Sequence, residues 1–154
     1  FGGLRRRHRE LVNVWVQKEH RNLMRMRKNG VRVPESLITR NNVLVMEYLG
    51  DKNGPSPRLR DVKVDDPEKL FKELLRQLRM IWQDAGLAHA DFSDYNIMIH
   101  KGEAWIIDAG QSVTQHHPKA KEFLVRDVTR LCQWAQRNGV EADLAEATLF
   151  VIEE

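Results

Sequence analysis

The sequence predicts an α+β domain, and three observations carry that prediction. Four stretches show the three-to-four-residue apolar spacing of amphipathic helices: about Leu11 to Asn29, Asp66 to Gly86, Pro118 to Asn138 and Glu141 to Ile152. Two shorter stretches, 36 to 49 and 96 to 107, alternate like strand pairs folded about a tight turn. Between them lies a loop, residues 89 to 96, dense in acid and amide side chains.

A chain of 154 residues, 42% hydrophobic and 31% charged, is long enough for one domain with a core of its own. No apolar run approaches the roughly 20 residues of a membrane span, and the start does not read as a signal peptide. The single cysteine, Cys132, sits at an apolar helical position, so no intramolecular disulfide can form, and a reducing cytoplasm is the expected setting. Charge is uneven: residues 1 to 30 carry +7 and the rest −4. The opening, with its arginines Arg5, Arg6 and Arg7, is a basic arm, either a solvated helix face or a surface for RNA phosphates.

In the first helical stretch the apolar stripe runs Leu11, Trp15, Leu23, Met26, and Gly30 stops it. Glu19 falls inside that stripe. A carboxylate on an inward face requires a partner, because desolvating it alone costs several kcal/mol, on the order of that for any buried ion. Residues 36 to 49 read as a hairpin turning near Asn41-Asn42, residue types that tolerate positive φ. The stretch DKNGPSPRLRDV is a loop by composition. Asp66 then caps a helix with Pro67 at its first position, and Leu70, Leu74, Leu78 and Ile81, flanked by Phe71, Leu75 and Trp82, form its buried stripe.

Residues 86 to 112 hold the chemistry. Asp91 and Asn96 end the loop, and the hairpin that follows turns at Lys101-Gly102 and runs into Asp108, which returns that carboxylate to the neighbourhood of Asn96. Magnesium takes hard oxygen ligands and keeps waters, so Asn96 and Asp108 suffice as the protein's share beside nucleotide phosphates. Asp91 can accept or orient the proton of an attacking hydroxyl. His89 is read as a structural tie of the loop. His100, His116 and His117 lack carboxylates or cysteines at coordinating spacing, and His117-Pro118 reads as a helix entry. The last two helices follow, the first with Phe123, Leu124, Val128, Leu131 and Trp134 inward.

The strings HADFSDYN, IIDAGQSV and HHPKAKEFLVRD, with KEHRNLMRM, MEYLG and PRLRD, resemble the RIO family of atypical serine kinases and ATPases across nearly the whole chain. Gln111, Ser112, Val113 and His117-Pro118 are most similar to the RIO1-type branch in its archaeal form. The resemblance implies a protein-kinase-like fold, represented by its helical C-lobe over residues 50–154. Residues 1–49 would supply the αC-like helix, the last N-lobe strands and the hinge.

It implies ATP with Mg²⁺, or Mn²⁺, as cofactors, with Asp91 as base, Asp108 as metal ligand and transient nucleophile, and Asn96 as second ligand. Glu19 would pair with the phosphate-positioning lysine. Met46 would limit the adenine pocket, Glu47 and Leu49 would meet adenine through their main chains, and Pro57 would lie near the nucleotide. Arg126-Asp127 would be an ion pair or loop contact. No glycine-rich phosphate loop or strand lysine is recognisable, so the chain alone is expected to be inactive.

The implied role is maturation of the small ribosomal subunit, with the pre-ribosomal particle or its RNA as partner. Two alternatives stand beside it. One is a nucleotide-dependent RNA-binding switch with little protein phosphorylation. The other is a small-molecule kinase of the aminoglycoside or choline type, whose loop differs at Ser93-Asp94-Tyr95.

Overall fold

The computed structural model of the chain describes residues 2–38 and 42–154, and for residues 2–10 the main chain alone. Asn41 and the side chains of Arg5, Arg6 and Arg7 therefore lie outside the described residues. Helix α1 runs Gly2–Lys28, upstream of the expected start at Leu11. Its opening is rich in arginine, a good helix former that an apolar-spacing pattern does not register. It ends as a Schellman motif: Gly30, at φ +86°, donates to Arg27 O at 3.0 Å and Val31 to Met26 O at 3.0 Å.

The C-terminal half of α1 packs inward. Leu23 and Met26 are fully buried, whereas Leu11 and Trp15, expected on the same buried stripe, are 52% and 62% exposed. Val14 is exposed beside them.

Strands β1 (Ser36–Ile38) and β2 (Leu44–Met46) form the expected antiparallel pair, with Leu37 opposite Val45 and Asn42 at φ +57° in the turn. The stretch read as plain loop contains a two-residue pair, β3 (Gly50–Asp51) with β4 (Gly54–Pro55), and a 3₁₀ turn at Leu59–Asp61. Elements this short have no periodicity to read. Helix α2 (Pro67–Arg79) starts as predicted, Asp66 accepting Lys69 N–H at 3.1 Å, and widens into a π turn over Met80–Asp84 before Gly86 at φ +68°.

Strand β5 (Leu87–Ala88) pairs with β8 (Val113–Thr114), while β6 (Ile97–His100) and β7 (Glu103–Ile106) form a hairpin about Lys101 (φ +52°) and Gly102 (φ +77°). Positive φ at both central residues is what a type I′ turn demands. Helix α3 spans Ala120–Arg137 and is closed by Gly139 at φ +77°. Helix α4 spans Leu144–Ile152, later than the expected Glu141 start because Asp143 caps it, accepting Glu146 N–H at 2.9 Å. The core sits where α2, α3 and α4 meet the two hairpin strands, with Leu74, Leu78, Ile81, Leu124, Val128, Ile97, Ile106 and Val151 buried. Phe123 lies only half in it, and its ring stacks on His117.

Candidate active site

The loop from His89 to Asn96 is held from three sides. Asp127 on α3 is fully buried and accepts the main-chain N–H of Ala90 at 2.9 Å and of Phe92 at 3.2 Å. Ala90 is at φ +74°, a conformation costing roughly 1–2 kcal/mol outside glycine, and the neighbouring Arg126 donates to its carbonyl at 2.9 Å. The Ser112 hydroxyl donates to His89 O at 2.9 Å, and Phe92 packs edge-on against the His89 ring. The Arg126-Asp127 dipeptide is therefore a loop clamp, not an ion pair between its two members.

His89 accepts the Asp91 N–H on Nδ1 at 3.1 Å, so the neutral ring carries its proton on Nε2. Burial pushes its pKa down to about 4 against the upward pull of Asp108 and Asp91. A neutral, fully buried ring is a structural tie, as its place in the sequence suggested.

Asp91 and Asn96 meet. The Asn96 amino group donates to the Asp91 carboxylate at 2.8 Å and to its carbonyl at 3.0 Å, while Arg130 donates to the other carboxylate oxygen at 3.0 Å. With its amino group committed, Asn96 has a side-chain carbonyl oxygen that takes no hydrogen bond among the described residues. The β6–β7 hairpin then does what its turn predicts: Ile107 N–H donates to Asn96 O at 3.0 Å, which sets Asp108 one residue beyond the peptide paired with Asn96.

Asp108 accepts Gly110 N–H on Oδ1 at 3.0 Å. A Cβ placed on Gly110 would lie 3.4 Å from that oxygen and 3.9 Å from Glu19 Oε2, so Glu19 and Asp108 border one small space that glycine leaves open. Burial, and then the Asp108 charge, push the Glu19 carboxyl above the usual carboxylate range. Asn22, one turn on from Glu19, fixes this arrangement by donating to Ala109 O and Ser112 O at 3.0 and 3.2 Å. Two carboxylates bordering one space, Glu19 and Asp108, are oxygen donors that fit a hard divalent cation or an ammonium.

The expected hinge residues follow β2. Glu47 N–H donates to Glu35 O at 2.8 Å, and its carboxylate accepts Glu35 N–H and a 3.4 Å contact from Arg27. The Glu47 carbonyl and the Leu49 N–H have no hydrogen-bond partner among the described residues. Leu49 is buried, Met46 is 40% exposed, and the Pro57 carbonyl accepts Ile99 N–H at 2.9 Å. The structure thus joins Asp91 to Asn96, Asn96 to the residue before Asp108, and Asp108 to Glu19, and places Met46, Glu47 and Leu49 on β2 and just after it, with Pro57 beside β6.

Other histidines are engaged elsewhere, His100 with Ser56 at 2.7 Å and His117 with Lys119 N–H at 3.0 Å. A groove of about 810 Å³ between residues 62–66, α2 and the β6–β7 turn contains none of the site residues. Neither Arg130 nor Asn22 was assigned a role from the sequence, and Ser112 was named only within the RIO1-like string. Arg130 had one available signal: it falls one helical turn after Arg126, on the face that carries Asp127 toward the loop.

A family model described as RIO domain matches residues 2–148. The chain belongs to the RIO family. This RIO chain is 42% identical over 134 residues to the RIO-type serine/threonine-protein kinase Rio1 of Haloferax volcanii, an alignment spanning 87% of the chain and 46% of that protein. It is 36% identical over 143 residues to the Rio1 of Thermoplasma acidophilum, spanning 93% of the chain and 75% of that protein. The RIO chain therefore covers about half the length of the Haloferax relative.

Among solved structures it resembles the Rio2 kinase of Chaetomium thermophilum in its ADP/Mg²⁺-phosphoaspartate complex. The TM-score is 0.75 and the identity 25%, covering 95% of this chain and 47% of that one. The protein-kinase-like fold expected from the sequence is the fold observed.

Proposed function

We propose that this RIO domain is the catalytic half of an ATP- and Mg²⁺-dependent serine/threonine kinase and ATPase. One observation carries the reading: Asn96 joins Asp91 at 2.8 Å and, through its main-chain carbonyl, Ile107, the residue that links β7 to Asp108. Asn96 and Asp108 would hold Mg²⁺, which supplies charge neutralisation at the phosphates when bound. Asp91, oriented by Asn96 and Arg130, would accept the proton of the attacking hydroxyl. Glu19 would receive the phosphate-positioning lysine, a cation that also relieves its repulsion with Asp108.

The free Glu47 carbonyl and Leu49 N–H would meet the adenine edge, with Met46 behind it and Pro57 beyond. The exposed Leu11, Val14 and Trp15 on α1, with Leu37, Val45 and Met46 on the hairpin, support residues 1–49 as the base of an N-lobe whose further strands cover them.

The Chaetomium relative's phosphoaspartate supports Asp108 as a transient nucleophile. In that step a carboxylate oxygen of Asp108 bonds to the γ-phosphorus, the bond to the ADP oxygen breaks, and water later cleaves the acyl phosphate. Maturation of the small ribosomal subunit, with its particle or RNA as partner, is the role that family likeness favours.

The test is incubation of a chain extended upstream through the lysine-bearing strand with γ-labelled ATP and Mg²⁺. Hydrolysis or self-labelling is expected, the label being lost with hydroxylamine and in Asp108→Asn. Transfer to a free sugar or amino alcohol would instead assign it to the small-molecule kinases.

A further inference from the structure

Five arginines converge on the seven residues 90–96. Arg126 donates to Ala90 O at 2.9 Å and Arg130 to the Asp91 carboxylate at 3.0 Å. Arg58 donates to Tyr95 O at 2.5 Å and lies 4.0 Å over the Tyr95 ring. Arg60 donates its main-chain N–H to Asp94 O at 3.1 Å and stands 5.5 Å from the same ring. Arg137 reaches Asp94 at 3.7 Å.

The carboxylates at this loop are already matched. Asp91 is taken by Arg130, Asp94 by Arg137, and Asp127 by two main-chain amides. Arg58 and Arg60 form no ion pair among the described residues, and Arg60 is exposed, whereas the Arg126 charge faces Asp127. Unmatched guanidinium groups around a reaction centre favour an anionic partner, and their fork suits carboxylates.

We propose that these arginines form a collar that docks an acidic stretch of the polypeptide bearing the phosphoacceptor hydroxyl. The proposal rests on the kinase reading above and gives it a substrate class. A polypeptide is favoured over single-stranded RNA because the one exposed aromatic here, Tyr95, already has a guanidinium on its ring. An RNA-binding groove would present open rings for base stacking.

The upstream-extended kinase decides it, assayed on a serine peptide flanked by aspartates and on its asparagine counterpart. Wild type is expected to prefer the acidic peptide by on the order of 10-fold in kcat/KM. Arg60→Glu should raise KM for that peptide by on the order of 10-fold, leaving kcat, the asparagine peptide and peptide-free ATP hydrolysis unchanged, and Arg60→Lys should restore most of the loss.

Equal handling of both peptides by wild type overturns the proposal. So does an Arg60→Glu variant that loses affinity for an RNA oligonucleotide while treating both peptides as wild type does. If no peptide is phosphorylated, the kinase reading fails, and anisotropy of the two labelled peptides, with and without Arg60→Glu, still decides the collar.

Discussion

The Asp127 carboxylate holds Ala90 by its main-chain N–H at 2.9 Å, and Ala90 is the loop residue forced to φ +74°. An interaction between a buried acid and a strained peptide stabilises the loop only while both remain. Asp127→Ala leaves two buried amides without acceptors and is expected to cost about 2–4 kcal/mol in urea unfolding at neutral pH. Turnover should fall with it. A variant of wild-type stability would show that other contacts fix the loop.

Burial raises the folded Asp127 pKa to about 6 from its ordinary 3.8, despite Arg126, Arg130 and the two amides pulling it down. The proton-linked part of its contribution to stability is therefore full below pH 3.8 and lost as pH rises through about 6. His89 runs oppositely: with a folded pKa of about 4 against 6.5, its contribution is full above pH 6.5 and lost on acidification through about 4. The two offset each other across the interval they share. Asp127→Asn removes one side, so stability should fall more steeply on acidification, by up to about 3 kcal/mol between pH 6.5 and 4, read from urea midpoints at a series of pH values. Parallel curves for variant and wild type would contradict these assignments.

Glu19 and Asp108 repel across the space beside Gly110. Glu19→Gln should stabilise the cation-free chain slightly, by under about 1 kcal/mol, because the groups are partly solvated. The folded Glu19 pKa is raised, so wild type loses this increment as pH rises through it, and the variant should not. Gly110→Ala adds a methyl at ordinary contact distance from Asp108, so it should fold normally yet bind Mg²⁺-nucleotide more weakly. Calorimetric melting with and without Mg²⁺-nucleotide reads both effects.

What the sequence disclosed follows what each element depends on. The α2 cap at Asp66, the Lys101-Gly102 turn and the meeting of Asp91 with Asn96 depend on neighbours in the chain, and all were legible. The Leu11 and Trp15 stripe was misread because burial depends on what lies opposite, which the α1 sequence does not contain. Arg130 reaches Asp91 across 39 residues, a contact set by how α3 crosses the loop, and local spacing carries no trace of that crossing. Strands of two residues, such as β5 and β8, are too short to have a pattern.

In the proposed function Asn96 and Asp108 hold the metal while Asp91 serves the hydroxyl, a division that separates metal binding from turnover. It is tested most directly by binding of Mn²⁺-nucleotide, followed by electron paramagnetic resonance, alongside turnover, in the upstream-extended chain. Asp108→Ala should abolish the bound-metal signal, whereas Asp91→Ala should keep it and lose turnover. Wild-type binding and turnover in both variants would contradict the account.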